Sequence, residues 1–425
     1  MFVVVLGLTE TSALAAPSDR LQTFLNPTPA VDDWFGYSVA AVGNNVLVGV
    51  PLKDRGARLD NAGAAYLFDA STGDLLQTFL DPTPALSDLF GNSVAAVGNN
   101  VLVGVPGEDR GALNAGAAYL FDASTGDLLQ TFLNPTPALS DRFGNSVAAV
   151  GNNVLVGAPR EYDSGAAYLF DASTGDLLQT FVNPTLAPRD WFGYSVTTVG
   201  NNVLVGAPWD ETGGRVAGAA YLFDASTGDL LQKFPNPTPD GHDRFGHSVA
   251  AVGNNVLVGA PYDNMGVPRA GHPGVAYLFD ASTGDLLQTL LNPAPYARHD
   301  YFGYSVAAVG NNVLVGAPRA DWDFFDPGVA YLFDASTGDL LQTFMNPTNP
   351  RGSRDQFGHS VAAVGNNVLI GAFSDDRGAR NAGAAYLFNA VPLPSSAWMG
   401  LSLLGGLAVV GVLHRICEKR PEQLH

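Results

Sequence analysis

A single cysteine, Cys417, stands in a chain of 425 residues, so no internal disulfide can brace it. Stability has to come from packing and strand pairing. Charge is sparse as well: Asp, Glu, Lys and Arg make up 14% of the residues, with 21 basic against 40 acidic side chains and a net charge of −19. Binding a phosphate backbone needs clustered Lys and Arg, which excludes nucleic acid as a partner. With 49 glycines and 28 prolines, little of the chain suits long helices, whose interiors disfavour both residues. The same residues serve many short strands joined by tight turns. The chain also lacks a nucleophile elbow, an H-E-x-x-H pair and a phosphate-cradling glycine loop between a strand and a helix.

Long apolar runs are confined to the two ends. Residues 1–16 hold the run Phe2 to Leu8 followed by Ala13-Leu14-Ala15, an apolar core and small-residue cleavage site expected of a secretory signal peptide. No Lys or Arg precedes the run and the run is short, which suggests a true start upstream; the alternative is a buried first strand. At the other end, Val391-Pro392-Leu393-Pro394 precedes an uncharged stretch over 397–413, then His414, Arg415, Lys419 and Arg420. The stretch meets the lower limit of about 17–25 residues for a transmembrane helix, and the basic flank would stay in the cytoplasm.

Residues 391–425 resemble a PEP-CTERM sorting signal, the substrate of exosortase-type membrane transpeptidases in Gram-negative bacteria. Leu393 stands where that family usually has Glu. The resemblance implies cleavage near Pro394, passage through the inner membrane at least transiently, and delivery to the cell surface or medium. The alternative is a plain membrane anchor.

Between the ends, over 20–390, the sequence repeats. Phe-Gly occurs at Phe35, Phe90, Phe143, Phe192, Phe245, Phe302 and Phe357, with spacings of 55, 53, 49, 53, 57 and 55 residues. Each copy continues as S-V-x-x-V-G-N-N-V-L-[VI]-G, a variable loop, A-Y-L-F, D-A-S-T-G-D in all but the last, and L-L-Q-x-[FL]. These pieces predict four strands per copy. Gly43-Asn44-Asn45 predicts a type II′ hairpin turn, and Ala70-Ser71-Thr72-Gly73 a type I turn with left-handed Gly, which Asp69 can cap. Four antiparallel strands at this period predict a propeller blade. The array starts with an isolated fourth strand, Leu21-Gln22-Thr23-Phe24, and its last copy stops at the third, Ala385-Tyr386-Leu387-Phe388. The fold expected is all-β: a seven-bladed β-propeller of four-stranded antiparallel blades, closed by the N-terminal strand completing the last blade, with a C-terminal transmembrane helix.

The motifs resemble FG-GAP repeats, the family that also builds integrin α-subunit propellers. Phe35-Gly36 with Gly49-Val50-Pro51 carries the likeness, and Gly157-Ala158-Pro159, Gly206-Ala207-Pro208, Gly259-Ala260-Pro261 and Gly316-Ala317-Pro318 are fuller matches. It implies an adhesion or recognition module. Integrin-like blades often carry a D-x-D-x-D-G calcium loop between their first two strands, whereas here that link is only Gly-Asn-Asn. Too few oxygens remain for a cage of six to eight, so no cofactor is expected and calcium has no support at that position.

Side chains repeated seven times do not suit a singular active site. Asp33, Asp88, Asp141, Asp190, Asp243, Asp300 and Asp355 each lie two residues before Phe-Gly and read as loop caps. The connections that vary join the second strand to the third and one blade to the next, and both fall on one face of the disc. That face is the expected binding surface, with Trp34, Trp191, Trp209, Tyr262, Tyr301, Trp322 and Phe324 as candidates for contact with a polysaccharide or a surface protein. The competing reading packs these rings over the blade ends. Asp321, Asp323 and Asp326 form a weak calcium-loop candidate without regular ligand alternation, and the five histidines His242, His247, His272, His299 and His359 read as scattered loop positions. The function expected is a non-enzymatic surface or matrix module. The alternatives are a glycan hydrolase or lyase on a propeller scaffold, with Asp240, His242 and His247 the place to look, or a passive coat component.

Overall fold

The second and third strands of every repeat are near-continuous apolar runs because both of their faces are covered. In the first blade, Asn45–Val50 and Ala64–Asp69 are buried along almost their whole length, as expected of strands packed between two neighbouring sheets. The innermost strand, Ser38–Val42, and the outermost, Leu75–Leu80, alternate or are partly exposed. The computed structural model describes residues 13–14, 20–54, 60–265, 271–294, 299–320, 327–347 and 354–390.

Seven sheets repeat this pattern, each antiparallel and ordered first to fourth strand from the axis outward. The last sheet is completed from the other end of the chain: Arg20–Leu25 pairs antiparallel with Ala384–Asn389, with Thr23 opposite Tyr386 and Phe24 opposite Ala385. Two further residues, Ala13–Leu14, pair in parallel with Gln342 and Thr343 on the outer strand of the sixth blade. They fall inside the segment read as an export leader.

One apolar cluster fills each junction between blades, and the junction that closes the disc is built like the others. It joins Phe24, Leu387 and Leu369 of the seventh blade to Phe35, Val48 and Phe68 of the first. Phe24 meets Phe68 at 5.4 Å between ring centroids, as Phe79 meets Phe121 and Phe181 meets Phe223, each also at 5.4 Å.

Phe-Gly forms the two central residues of a tight turn. Tyr37 N–H donates to the Trp34 carbonyl at 3.2 Å, and Gly36 has φ +88°, as the third position of a type II turn requires. A Cβ on Gly36 would lie 2.4 Å from the Ala384 carbonyl oxygen. The buried Phe35 ring packs on Tyr66 and Phe68 of its own blade. The serine that follows ties blade to blade: Ser38 Oγ donates to the Gly91 carbonyl at 2.8 Å, and the series runs round the disc until Ser360 Oγ reaches the Gly36 carbonyl at 2.8 Å.

Hairpin chemistry follows the sequence. Only Gly43 of the two-residue Gly43-Asn44 link is left-handed, at φ +59°, the type II′ arrangement. Asp69 Oδ1 accepts the Ser71 and Thr72 N–H groups at 2.8 and 2.9 Å, which lowers its pKa, the Ser71 hydroxyl contributing most. Among the described residues no helix is long and apolar enough to cross a membrane. The stretch 397–413, expected to be a transmembrane helix, and the sorting positions Val391 to Pro394 and Arg415 lie outside the described residues.

Candidate functional site

The seven Phe-Gly turns share one face of the disc with the variable loops. Each projects the residue before Phe onto that face and the residue after Gly toward the axis. The outward residues are Trp34, Leu89, Arg142, Trp191, Arg244, Tyr301 and Gln356, all left-handed with φ between +55° and +64°. Such a conformation costs a non-glycine residue about 1–2 kcal/mol. It persists because the next N–H is fixed to the preceding blade, as Phe90 N–H is to the Ala62 carbonyl at 3.1 Å.

The axial residues form a belt. Asn92 Nδ2 donates to the Asn145 carbonyl and Asn145 Nδ2 to the Tyr194 carbonyl, both at 3.1 Å. His247 Nδ1 lies 3.1 Å from the Tyr304 carbonyl and His359 Nδ1 3.2 Å from the Tyr37 carbonyl. A carbonyl only accepts, so both imidazoles carry their proton on Nδ1. Burial pushes the His247 pKa down to about 3 and that of His359 to about 4, so both are neutral at physiological pH. Rings touch in the order Tyr194, His247, Tyr304, His359, Tyr37, with centroids 4.5–5.1 Å apart.

Outside the belt, blades three to six carry a continuous arc of rings and guanidinium groups. Arg160 lies over Trp191 at 5.0 Å, and Trp191 meets Trp209 at 3.8 Å. Arg244 is held between Trp209 at 4.5 Å and Tyr262 at 4.1 Å. Tyr262 meets Tyr301 at 4.6 Å, and Arg319 lies over Tyr301 at 4.9 Å. The rings are half-buried and Arg319 is exposed. Stacking of this kind is worth about 0.5–2 kcal/mol per contact and fixes the guanidinium planes. A second group, Trp34 with Tyr37 and Phe373 at 5.8 and 4.9 Å, joins the belt through Tyr37.

Beneath the arc lie the Asp residues that precede Phe-Gly. Six of the seven junctions pair this Asp with an Asn, as Asn134 Nδ2 donates to Asp141 at 2.9 Å and Asn183 Nδ2 to Asp190 at 2.7 Å. The same carboxylates accept loop N–H groups, Asp33 from Ala30 at 2.7 Å and Asp243 from Asp240 at 2.6 Å, so they cap the loops. In the first blade Lys53 adds an ion pair to Asp33 at 2.8 Å.

The second blade differs. Asp81 replaces the Asn, and Asp81, Asp88 and Glu108 bring buried carboxylate oxygens within 4.8 Å of one another, the one group of this kind among the described residues. Burial, then the Asp81 and Glu108 charges, raises Asp88 to about 7. Arg110 already enters the cluster, 3.6 Å from Glu108 and bonded to Thr83 Oγ1 and the Tyr119 hydroxyl at 2.6 Å each. Glu161 and Asp243 are also raised to about 7, chiefly by burial, each in its own junction.

Four of the ring residues expected to matter, Trp191, Trp209, Tyr262 and Tyr301, therefore meet in one arc, while Trp34 belongs to the neighbouring group. These rings pack on one another and on arginines in the connections that vary between copies. Trp322, Phe324, Asp321, Asp323 and Asp326 lie outside the described residues. The three residues suggested for an enzyme do not gather: Asp240 and His242 are exposed on a loop, whereas His247 is buried in the belt. His272 and His299 meet tilted at 5.4 Å between ring centroids, beside Tyr262. Sequence reasoning passed over the arginines of the arc and the axial belt. Aligning the copies on Phe-Gly would have exposed the belt, whose residues directly follow the Gly.

A closed disc of seven four-stranded blades whose inner turns carry the variable residues defines a seven-bladed β-propeller with one differentiated face. The FG-GAP repeat family matches residues 26–68, 79–121, 136–170, 181–223, 238–279, 288–333 and 351–388, one segment per blade. The chain belongs to the FG-GAP repeat family, whose members are typically extracellular or cell-surface proteins. No curated protein matches the chain.

Proposed function

We propose that this propeller is a non-enzymatic binding module that holds an extracellular polysaccharide against its variable face. The arc from Arg160 to Arg319 carries the reading: flat half-buried rings offer stacking surfaces, and stacked arginines offer fixed donors beside them. Aromatic and Arg side chains are the types enriched where binding energy concentrates. The carboxyl groups raised to about 7, Asp88, Glu161 and Asp243, belong to the second, third and fifth blades rather than to one cleft, which favours binding over acid–base chemistry.

In this account a leader exports the chain, and the tail over 391–425 passes it through the inner membrane of a Gram-negative bacterium to an exosortase-type enzyme. Intact mass of the protein from medium and from membranes tests that step. A species ending near Pro394 outside the inner membrane supports it, and a full-length membrane-held species overturns it.

Binding is tested by affinity electrophoresis in gels containing polysaccharide. Trp191→Ala with Trp209→Ala should abolish retardation, while Thr125→Ala on the opposite face should leave it unchanged. Equal retardation of all three proteins would overturn the reading, and a lack of retardation across a broad panel would point to a passive coat component.

A further inference from the structure

We infer that the ligand of this face is an acidic polysaccharide, with the carboxylates of uronate residues held by the arginines of the arc; this rests on the polysaccharide reading above. In a chain with only 21 basic residues, Arg142, Arg160, Arg244 and Arg319 occur in the third, fifth and sixth blades at two structural positions. Arg142 and Arg244 occupy the residue before Phe-Gly, and Arg160 and Arg319 the residue after the Gly-Ala-Pro motif. Among the described residues, none of the four takes part in an ion pair. The Nε of Arg244 is buried and has no hydrogen-bond partner, although the group lies between two rings. Partial burial and then the neighbouring Arg160 charge make Arg142 a weaker base than usual. A bound anion would relieve that repulsion.

The carboxylates adjacent in sequence to Arg142, Arg160 and Arg244 do not neutralise these cations. Asp141, Glu161 and Asp243 turn into the junctions, where Asn side chains hold them, and burial raises Glu161 and Asp243. Six copies of Asp-Ala-Ser-Thr-Gly-Asp place twelve carboxylates on the hairpin turns of the opposite face. Arg142, Arg160, Arg244 and Arg319 lie on the other, variable face, around the axial belt.

Stacking covers the flat faces of a guanidinium and leaves its N–H edge free. That edge matches a carboxylate through two parallel hydrogen bonds. Sugar rings can lie on the exposed parts of the Trp and Tyr faces between these points. A uronate polymer supplies both features at a regular repeat, whereas a neutral glucan supplies only the second.

The experiment compares the full chain on polygalacturonate, on the same polymer with its carboxyl groups methyl-esterified, and on dextran, by affinity electrophoresis and calorimetry. Polygalacturonate should bind at least about tenfold more tightly than its ester, the scale of one lost charge-assisted hydrogen bond, and its affinity should fall as salt rises. Arg319→Gln, at an exposed position, should weaken polygalacturonate binding about tenfold, and more than it weakens dextran binding, with unchanged melting temperature. Arg244→Gln should do the same, with the melting temperature reporting any loss of packing. Equal binding of the acidic and esterified polymers, or insensitivity to both substitutions, overturns the acidic-ligand inference and leaves the polysaccharide reading standing. Failure to bind any of the three polymers overturns both.

Discussion

Asp81→Asn converts the three-carboxylate junction of the second blade into the arrangement its neighbours already use. At the equivalent position of the third blade, Asn134 donates to Asp141 at 2.9 Å and to Glu161 at 2.6 Å, and its Oδ1 accepts Thr136 N–H at 3.0 Å. The last contact exists in the second blade as Thr83 N–H to Asp81 at 2.8 Å, and an Asn would keep it. The substitution therefore removes one buried charge and supplies a donor to Asp88, leaving the local backbone alone. A hydrogen bond to a charged group contributes about 1.5–3 kcal/mol, so about 2 kcal/mol of stabilisation is expected where Asp88 is ionised. The pH dependence fixes the mechanism. Asp88 titrates near 7 in the folded protein against an ordinary value of 3.8, so the folded state holds a proton that the unfolded state has released. Wild-type stability from this group is present at low pH and is lost as pH rises through 7. Urea unfolding in chelator-containing buffer should show Asp81→Asn close to wild type at pH 5 and about 2 kcal/mol more stable at pH 8.5, with an unchanged slope against urea. A destabilised variant at pH 8.5, or an equal gain at both pH values, would refute the reasoning.

Closure can be tested by comparing Phe24→Ala with Phe79→Ala. Both rings are about 1% exposed at equivalent junctions, so each should cost about 3–5 kcal/mol; a negligible cost at Phe24 alone would mean that the ring is not closed by this strand. Ser360→Ala breaks the Ser–Gly bond that spans the closure and should lower stability by about 1 kcal/mol in urea unfolding, matched by Ser146→Ala at an interior junction. His247→Asn installs the residue found at the same belt position in Asn92 and Asn145, whose Nδ2 makes the equivalent bond. The His247 pKa is depressed in the folded state, so its stability contribution is full above pH 6.5 and is lost as pH falls below it. Relative to wild type, the variant should be near neutral at pH 8 and gain up to about 2 kcal/mol by pH 5; parallel pH profiles would contradict the neutral buried imidazole.

The architecture was legible because each strand type recurs with its turn chemistry intact. Gly43 and Gly73 adopt left-handed angles of +59° and +81° where the turn types demand them, and the isolated Leu21-Gln22-Thr23-Phe24 finds its missing partner. Other features escaped because they arise from neighbours distant in sequence. Ser38 could be read only as a packing residue, since its acceptor at Gly91 belongs to the next blade. The Asn–Asp pairs under the loops join residues seven apart in most blades, but the Glu108 or Glu161 that completes a junction comes from a variable loop. The arginine arc was hidden for a different reason: a basic residue in a loop carries no signal by itself, and Arg244 gains meaning only from lying between Trp209 and Tyr262.

The most direct measurement is hydrogen-exchange footprinting of the full chain with and without polygalacturonate. The account predicts protection confined to the loop face over blades three to six, at residues 142–145, 158–162, 189–194, 207–212, 242–247, 260–263, 299–304 and 317–320. The hairpin turns at 70–73 and 123–126 should exchange at unchanged rates. Protection at those turns, or along the outer strands such as Leu75–Leu80, would place the ligand elsewhere and contradict the assignment of the face.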